Sequence, residues 1–215
     1  MKGIFSMLHL NSKYIQSNAK AGQCGASLIL VMIILTIVSM IGIAGIQIST
    51  MSERSARNDR DYQIAWQSAE AGLVDATLEL YGSGTSLRRN VFEASNVLAY
   101  FVDGCGTTGD SRGLCTLAQT GRPTWVDVNF ETTGSAAPTT EYGQFTNRTF
   151  TAGGAGVQPA RRPRYVMEPI RDDAGPGSQC RNLALADCPP VFRITAMGFG
   201  PRVDIQAVLQ IIYRK

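Results

Sequence analysis

The chain of 215 residues holds a single histidine, His9, and between Lys20 and the final Lys215 it has no lysine at all. Histidine is the side chain that titrates near neutral pH and the commonest metal ligand, and lysine supplies amine nucleophiles. Without them the bulk of the chain has no His-based triad, no His-ligated metal and almost no lysine chemistry. No other nucleophile with a partner base stands out, so the sequence predicts no enzyme, no metal site and no cofactor.

Three further absences define the N-terminal part. Residues 1 to 25 contain no Asp or Glu but carry Lys2, Lys13 and Lys20; Ala26 through Ser52 contain no charged residue; and no proline occurs from Ala26 to Tyr81. About 20 apolar residues are enough to cross a bilayer core as a helix. Residues 26–52 therefore read as a transmembrane span, and the positive-inside tendency leaves residues 1–25 in the cytoplasm with the rest outside. Those three lysines equal the whole formal excess of +3, so the pI near 8.7 reports topology rather than an affinity for nucleic acid or anionic surfaces.

The uncharged run passes without interruption into "ERSARNDRDYQIAWQSAEAGLVDATLELYG". Tyr62, Trp66, Ala69, Leu73, Ala76 and Leu80 recur at steps of four and three, which places them on one helical face. The spacing predicts a single helix over 26–81, half apolar and half amphipathic, roughly 80 Å long at about 1.5 Å per residue. Gly42 and Gly45 weaken it locally, and Gly82 with Gly84 supplies a stop.

Residues 82–215 are enough for one hydrophobic core. "TWVDVNF" and "RYVMEPI" read as strands, while "NVFEASNVLAYF" fits either a short helix or a strand. The clearest hairpin joins "VFRITAMGF" to "VDIQAVLQIIY" through Gly200–Arg202. In the last strand Val203, Ile205, Ala207, Leu209, Ile211 and Tyr213 share one face, suited to cover the amphipathic half of the helix. The Gly-, Ser-, Thr- and Pro-rich stretch 132–160 reads as surface loop.

Of five cysteines, Cys24 precedes the apolar run, while Cys105, Cys115, Cys180 and Cys188 follow it. An even number in an exported domain points to disulfides. The short loop-like spans favour Cys105 with Cys115 and Cys180 with Cys188, among three pairings that four cysteines allow. Arg161, Arg162 and Arg164 form a small basic cluster whose readings are a solvated surface, a subunit salt bridge or, less favoured, a DNA contact. Asp172 with Asp173 falls short of a calcium loop. Asn147-Arg148-Thr149 matches a glycosylation sequon that carries little meaning behind a bacterial-type export signal.

Glycine followed at once by an apolar helix, with a basic leader before it, resembles the class III signal of type IV pilins. Glu53, Arg54, Asn58, Arg60, Asp61, Ala65, Gln67, Ala69, Glu70, Ala71 and Leu73 resemble the E-R-x-x-x-N-x-R-D…A-F-Q-x-A-E-A-x-L pattern of the PilX minor pilins, with Trp66 at the aromatic position. "PRYVME" and "FRITAMGFG…AVLQIIYRK" are also similar to that family. The resemblance implies an α+β pilin-like fold, with one long N-terminal helix packed on a C-terminal antiparallel sheet domain. It also implies cleavage by prepilin peptidase after Gly25 and methylation of the new N-terminus, Ala26.

By the same resemblance the chain is a minor pilin that primes type IV pilus assembly and enters the filament at or near its tip. Its partners would be other minor pilins, the major pilin, a PilY-type tip adhesin and the inner-membrane assembly platform. It would reside in the inner membrane before assembly and in the pilus afterwards, and adhesion, twitching motility and DNA uptake would follow from having pili. Two positions depart from the pattern. Cys24 stands where the family has Arg or Lys, and Leu30, the fifth mature residue, stands where most pilins carry a glutamate. A glutamate there pairs with the N-terminal amine of the neighbouring subunit, so Leu30 suits a tip subunit with no neighbour ahead; the bland alternative is a lipid-facing leucine. Competing classes are a type II secretion pseudopilin, a periplasmic binding domain on a permanent membrane anchor, and a secreted protein cut near Ala44 or Gly45.

Overall fold

A computed structural model describes residues 26–82, 87–118, 120–154, 156–170 and 191–214. Residues 1–25, with Gly25, and Asp172, Asp173, Cys180 and Cys188 lie outside the described residues. The chain divides into two compact units, residues 1–51 and 52–215.

Helix α1 runs over Ala26–Tyr81 and is continuous through Gly42 and Gly45. Among the described residues it is the one helix long and apolar enough to cross a membrane. Two polar side chains in the apolar part, Thr36 and Ser39, are satisfied locally. The hydroxyls of Thr36 and Ser39 donate to the carbonyls of Met32 and Leu35, each at 2.7 Å. The helix stops at Tyr81, where Gly82 closes the last turn by donating its N–H to the Leu78 carbonyl at 2.6 Å.

In the second unit the C-terminal part of α1 lies on a four-stranded antiparallel sheet. The strands are β1 (Thr140–Glu141), β2 (Arg164–Ile170), β3 (Val191–Phe199) and β4 (Gln206–Arg214), in the order β1-β2-β3-β4. Two short helices, α2 (Arg89–Glu93) and α3 (Thr124–Asp127), lie in the connections. The α2 stretch resolves "NVFEASNVLAYF" as helical, with a 3-10 turn at Val97–Tyr100.

Strand alternation sorts the side chains to two faces. Tyr165, Met167, Phe192, Ile194 and Ala196, with Leu209, Ile211 and Tyr213 partly buried, share one core with Leu73, Ala76 and Leu80 of the helix. On the opposite face Val166 packs with Cys105, Cys115 and Phe130, and with Trp125, Val128 and Met197. The expected β3–β4 hairpin is present, with the strand beginning at Gln206 instead of Val203. Pro169 fits inside β2 because odd-numbered backbone groups there point away from β3. Met167 donates to the Gly113 carbonyl on that side at 2.8 Å, so the missing N–H of Pro169 leaves the β2–β3 ladder intact.

Three expectations need correction. "TWVDVNF" is not a strand; Pro123 starts the helical turn α3, and the outer edge of β2 is already taken by β1 and by residues 113–115. The stretch 132–160 is not all surface loop. It contributes β1 and buries Ala137, Thr139, Tyr142, Phe145 and Thr146. Tyr62 and Trp66 do not belong to the buried stripe and remain 47% and 42% exposed. The face that meets the sheet carries Ala65, Ser68, Ala69, Gly72 and Ala76, because helix and sheet approach too closely there for an aromatic ring.

That approach is set by Gly198 in β3. A Cβ on Gly198 would lie 2.2 Å from the Ala65 carbonyl oxygen and 2.2 Å from the Ala69 nitrogen. Gly72 in turn faces Pro163 and Ala196, and Gly200 faces the Asp61 backbone. The helix thus runs opposite to β3 along a seam of small residues.

Candidate functional site

The longest uncovered surface is the helix itself. Every described residue from 27 to 60 is exposed, Leu30 at 61%, so an apolar surface continues into a charged one with no cover from the described part of the chain. Ala26 opens the helix. The polar and aromatic motif residues predicted from the sequence fall on this surface or its extension, while Ala65, Ala69 and Leu73 are buried. Glu53, Arg54, Asn58 and Arg60 are exposed, Asp61 is half-buried, and Trp66, Gln67 and Glu70 lie on the face turned from the sheet.

Some of these motif residues pair along the helix. Glu53 accepts from Arg57 at 2.6 Å, Arg60 bonds Asp61 at 2.8 Å, and the Trp66 indole donates to Glu70 at 2.9 Å. Exposed pairs of this kind contribute only about 0.3–0.5 kcal/mol each. These polar residues do not hold the fold together, whereas Ala65, Ala69 and Leu73 of the same pattern are buried against the sheet, so it is the polar part of the motif that is available for contacts outside the chain.

What does hold the second unit together is a buried polar cluster that the helical period conceals. Asp75, Glu79, Arg88 and Tyr165 are all essentially inaccessible to solvent. Arg88 donates from Nε to Glu79 and from Nη1 to the carbonyls of Asp110 at 3.0 Å and Arg112 at 2.5 Å. Its guanidinium also sits 3.9 Å from the centre of the Phe145 ring. Tyr165 donates its hydroxyl hydrogen to Glu79 Oε2 at 2.6 Å and lies 3.4 Å from Asp75 Oδ2. Asp75 accepts from the Thr146 hydroxyl at 2.5 Å and the Gly143 N–H at 2.8 Å. Gly143 has φ +78°, and a Cβ there would strike the Arg148 carbonyl, so the turn that aims its N–H at Asp75 requires glycine.

Burial shifts the protonation equilibria in this cluster. It raises the Glu79 carboxyl pKa, with Arg88 and Tyr165 pulling the other way. Burial, followed by the Glu79 charge, drives the Tyr165 phenol well above its ordinary value, so it remains a donor across the physiological range. The cluster ties α1, the loop after it, the segments at 110–112 and 143–146, and β2 into one body.

Cys105 and Cys115 form the expected disulfide. Cys115 donates its N–H to the Met167 carbonyl at 2.9 Å, so the bridged loop hangs directly from β2. A loop of this size contributes about 2–3 kcal/mol through the unfolded state.

The three-arginine cluster divides. Arg164 is buried and structural, donating to the Thr132 carbonyl at 2.6 Å, to the Thr139 hydroxyl at 3.0 Å and to Glu141 at 2.6 Å. Arg162 stands 3.5 Å from the same carboxylate and is half exposed, and Arg161 donates to the Glu131 carbonyl at 3.2 Å. No group of three or more His, Cys, Asp or Glu side chains suited to a metal occurs among the described residues.

An exposed apolar helix that continues as the spine of an antiparallel sheet domain, with a disulfide-bearing loop on the far face, defines a pilin-like subunit. The family models agree: the PilX N-terminal model matches residues 25–74, and the type IV pilus assembly protein PilX C-terminal model matches residues 111–215. The chain belongs to the PilX family of type IV pilus assembly proteins, structural components of that system. No curated protein and no solved structure matches it significantly.

Proposed function

We propose that this chain is a minor pilin that primes assembly of the type IV pilus and is incorporated at or near its tip. Residues 1–25 serve as a cytoplasmic leader, prepilin peptidase cuts between Gly25 and Ala26, and the Ala26 amine is methylated. Residues 26–52 hold the chain in the inner membrane until the helix moves into the filament, and residues 82–215 form the periplasmic, then extracellular, domain. Its contacts are with other minor pilins, the major pilin, a PilY-type tip adhesin and the assembly platform. Cys180 and Cys188 form a second bridge.

The observation that carries this reading is the unbroken exposed surface from residue 27 to residue 60, apolar at first and then lined with Glu53, Arg54, Asn58 and Arg60. A surface that suits lipid along one half and presents ordered polar groups along the other fits a subunit that passes from membrane to helical bundle. Leu30 within it bears no charge to be matched by a subunit ahead, which supports a leading position.

Mass spectrometry of the N-terminal peptide from membrane and sheared-pilus fractions tests processing and placement together. An N-methylated Ala26 present in trace amounts in pili is the expected result. An intact Met1, or a start near Ile46, overturns the proposal. For the tip position, Leu30→Glu is expected to alter initiation or incorporation; a variant indistinguishable from wild type removes that part.

A further inference from the structure

Two adjoining open cavities of about 380 and 320 Å³ share Arg162, Arg164 and Glu141 as lining residues, with Arg112 contributing to the first and Arg161 to the second. Four guanidiniums therefore border one groove in which Glu141 is the acidic lining residue. We propose that this groove is a docking site for an acidic segment of a partner protein, whose Asp or Glu carboxylates bind the arginine face.

The arginines are arranged for the task. Arg164 is fixed from beneath by Thr132, Thr139 and Glu141, and Arg112 is held by the carbonyls of Gly134 at 2.8 Å and Ser135 at 3.0 Å. Groups already ordered lose little freedom when a ligand arrives. Arg162, half exposed and only loosely paired with Glu141, is the cation best placed to turn to an incoming carboxylate. A guanidinium fork matches a carboxylate with two parallel hydrogen bonds.

Glu141 cannot neutralise its surroundings, since it faces both Arg164 and Arg162. Glu131, whose carboxylate accepts from the Gln206 amide at 2.6 Å, is not a lining residue of either cavity. The local excess of positive charge contrasts with residues 26–215 as a whole, which are formally neutral by sequence.

The lining favours a peptide over nucleic acid. Base stacking needs an accessible aromatic face. The aromatic residue here, Tyr142, has its ring against Phe150 at 5.0 Å and under Arg148 at 5.4 Å. The remaining lining includes Gln144, whose side-chain amide suits a peptide chain.

The test measures fluorescence anisotropy of a labelled short polyglutamate peptide with the full chain in detergent at low salt, alongside a single-stranded oligonucleotide of similar length. Saturable peptide binding is expected, weakened about tenfold by Arg161→Ala with Arg162→Ala and abolished by salt. Arg122→Ala with Arg202→Ala, at exposed ion pairs elsewhere, should leave it unchanged. Near-ultraviolet circular dichroism confirms that each variant is folded. Absence of peptide binding, equal loss in both variant pairs, or tighter binding of the oligonucleotide overturns the proposal.

Discussion

Tyr165 in the second strand donates its phenolic hydrogen to Glu79 near the end of the long helix, 2.6 Å away and 86 positions apart in the chain. The same hydroxyl lies 3.4 Å from Asp75, 90 positions away, so one buried phenol joins the sheet to two acidic side chains of the helix. Around it Arg88 and Asp75 recruit three loop segments, so the geometry of those loops depends on two carboxylates that the apolar pattern of the helix does not advertise.

Removing one partner from such a cluster leaves an uncompensated charge. Arg88→Ala is expected to cost about 3–5 kcal/mol of unfolding free energy. Arg88→Met combined with Glu79→Leu should cost less than the sum of the two separate changes, because neither charge is then stranded. Denaturant unfolding followed by circular dichroism supplies both values; a loss below about 1 kcal/mol in Arg88→Ala would contradict the assigned role.

Gly198 gives a steric test. Gly198→Val is expected to lower stability by at least about 1–3 kcal/mol, since its Cβ would overlap the helix backbone at Ala65 and Ala69. Gly154→Ala is the control, at a position with only a side-chain atom 3.6 Å away, and should stay within about 0.5 kcal/mol of wild type. Equal melting temperatures for the two variants would mean that helix and sheet do not approach as described.

Glu168 provides the pH dependence. Its carboxylate is buried beside Arg193, and burial raises its pKa above the ordinary 4.5 despite that partner. The folded state therefore binds this proton more tightly than the unfolded chain. Stability from this group is fully present below about pH 4.5 and declines as pH rises through the folded value. Wild type should lose stability relative to Glu168→Gln between pH 4.5 and 7.5. A difference in melting temperature that stays constant, or moves the other way, would show that Arg193 outweighs desolvation.

The exposed motif separates stability from assembly. Arg54→Ala and Asn58→Ala are expected to change unfolding free energy by no more than about 0.5 kcal/mol, because both side chains lie in solvent. Under the proposed function they should nevertheless reduce the amount of this chain in sheared pili. Normal incorporation in both variants would leave the motif without an assembly role.

The elements with the strongest period were legible from sequence. The uncharged run, the continuation of α1, strands β2 to β4 and the Cys105–Cys115 bridge all follow from residue order and short spacing. The remainder depended on partners distant in sequence. Tyr62 and Trp66 keep the helical phase, yet only small residues fit where Gly198 admits the helix. "TWVDVNF" has strand chemistry but finds the edge of β2 occupied. Thr140 and Glu141 pair as a strand because Tyr165 and Arg164 lie opposite, which loop composition cannot announce. Asp75 and Glu79 look like ordinary helix-surface acids until Arg88, Thr146 and Tyr165 arrive. The arginine cluster was visible as residues, but its division into a buried Arg164 and exposed neighbours was not.

The seam at Gly198 also bears on how the second unit would carry a mechanical load. Tension entering its part of α1 would reach β3, an interior strand, which is paired over seven positions with β2 and nine with β4. Because the helix meets that strand backbone against side-chain-free backbone, a pull along the axis must shear several close contacts together instead of peeling them one at a time. A unit coupled in this way resists such a pull as a whole.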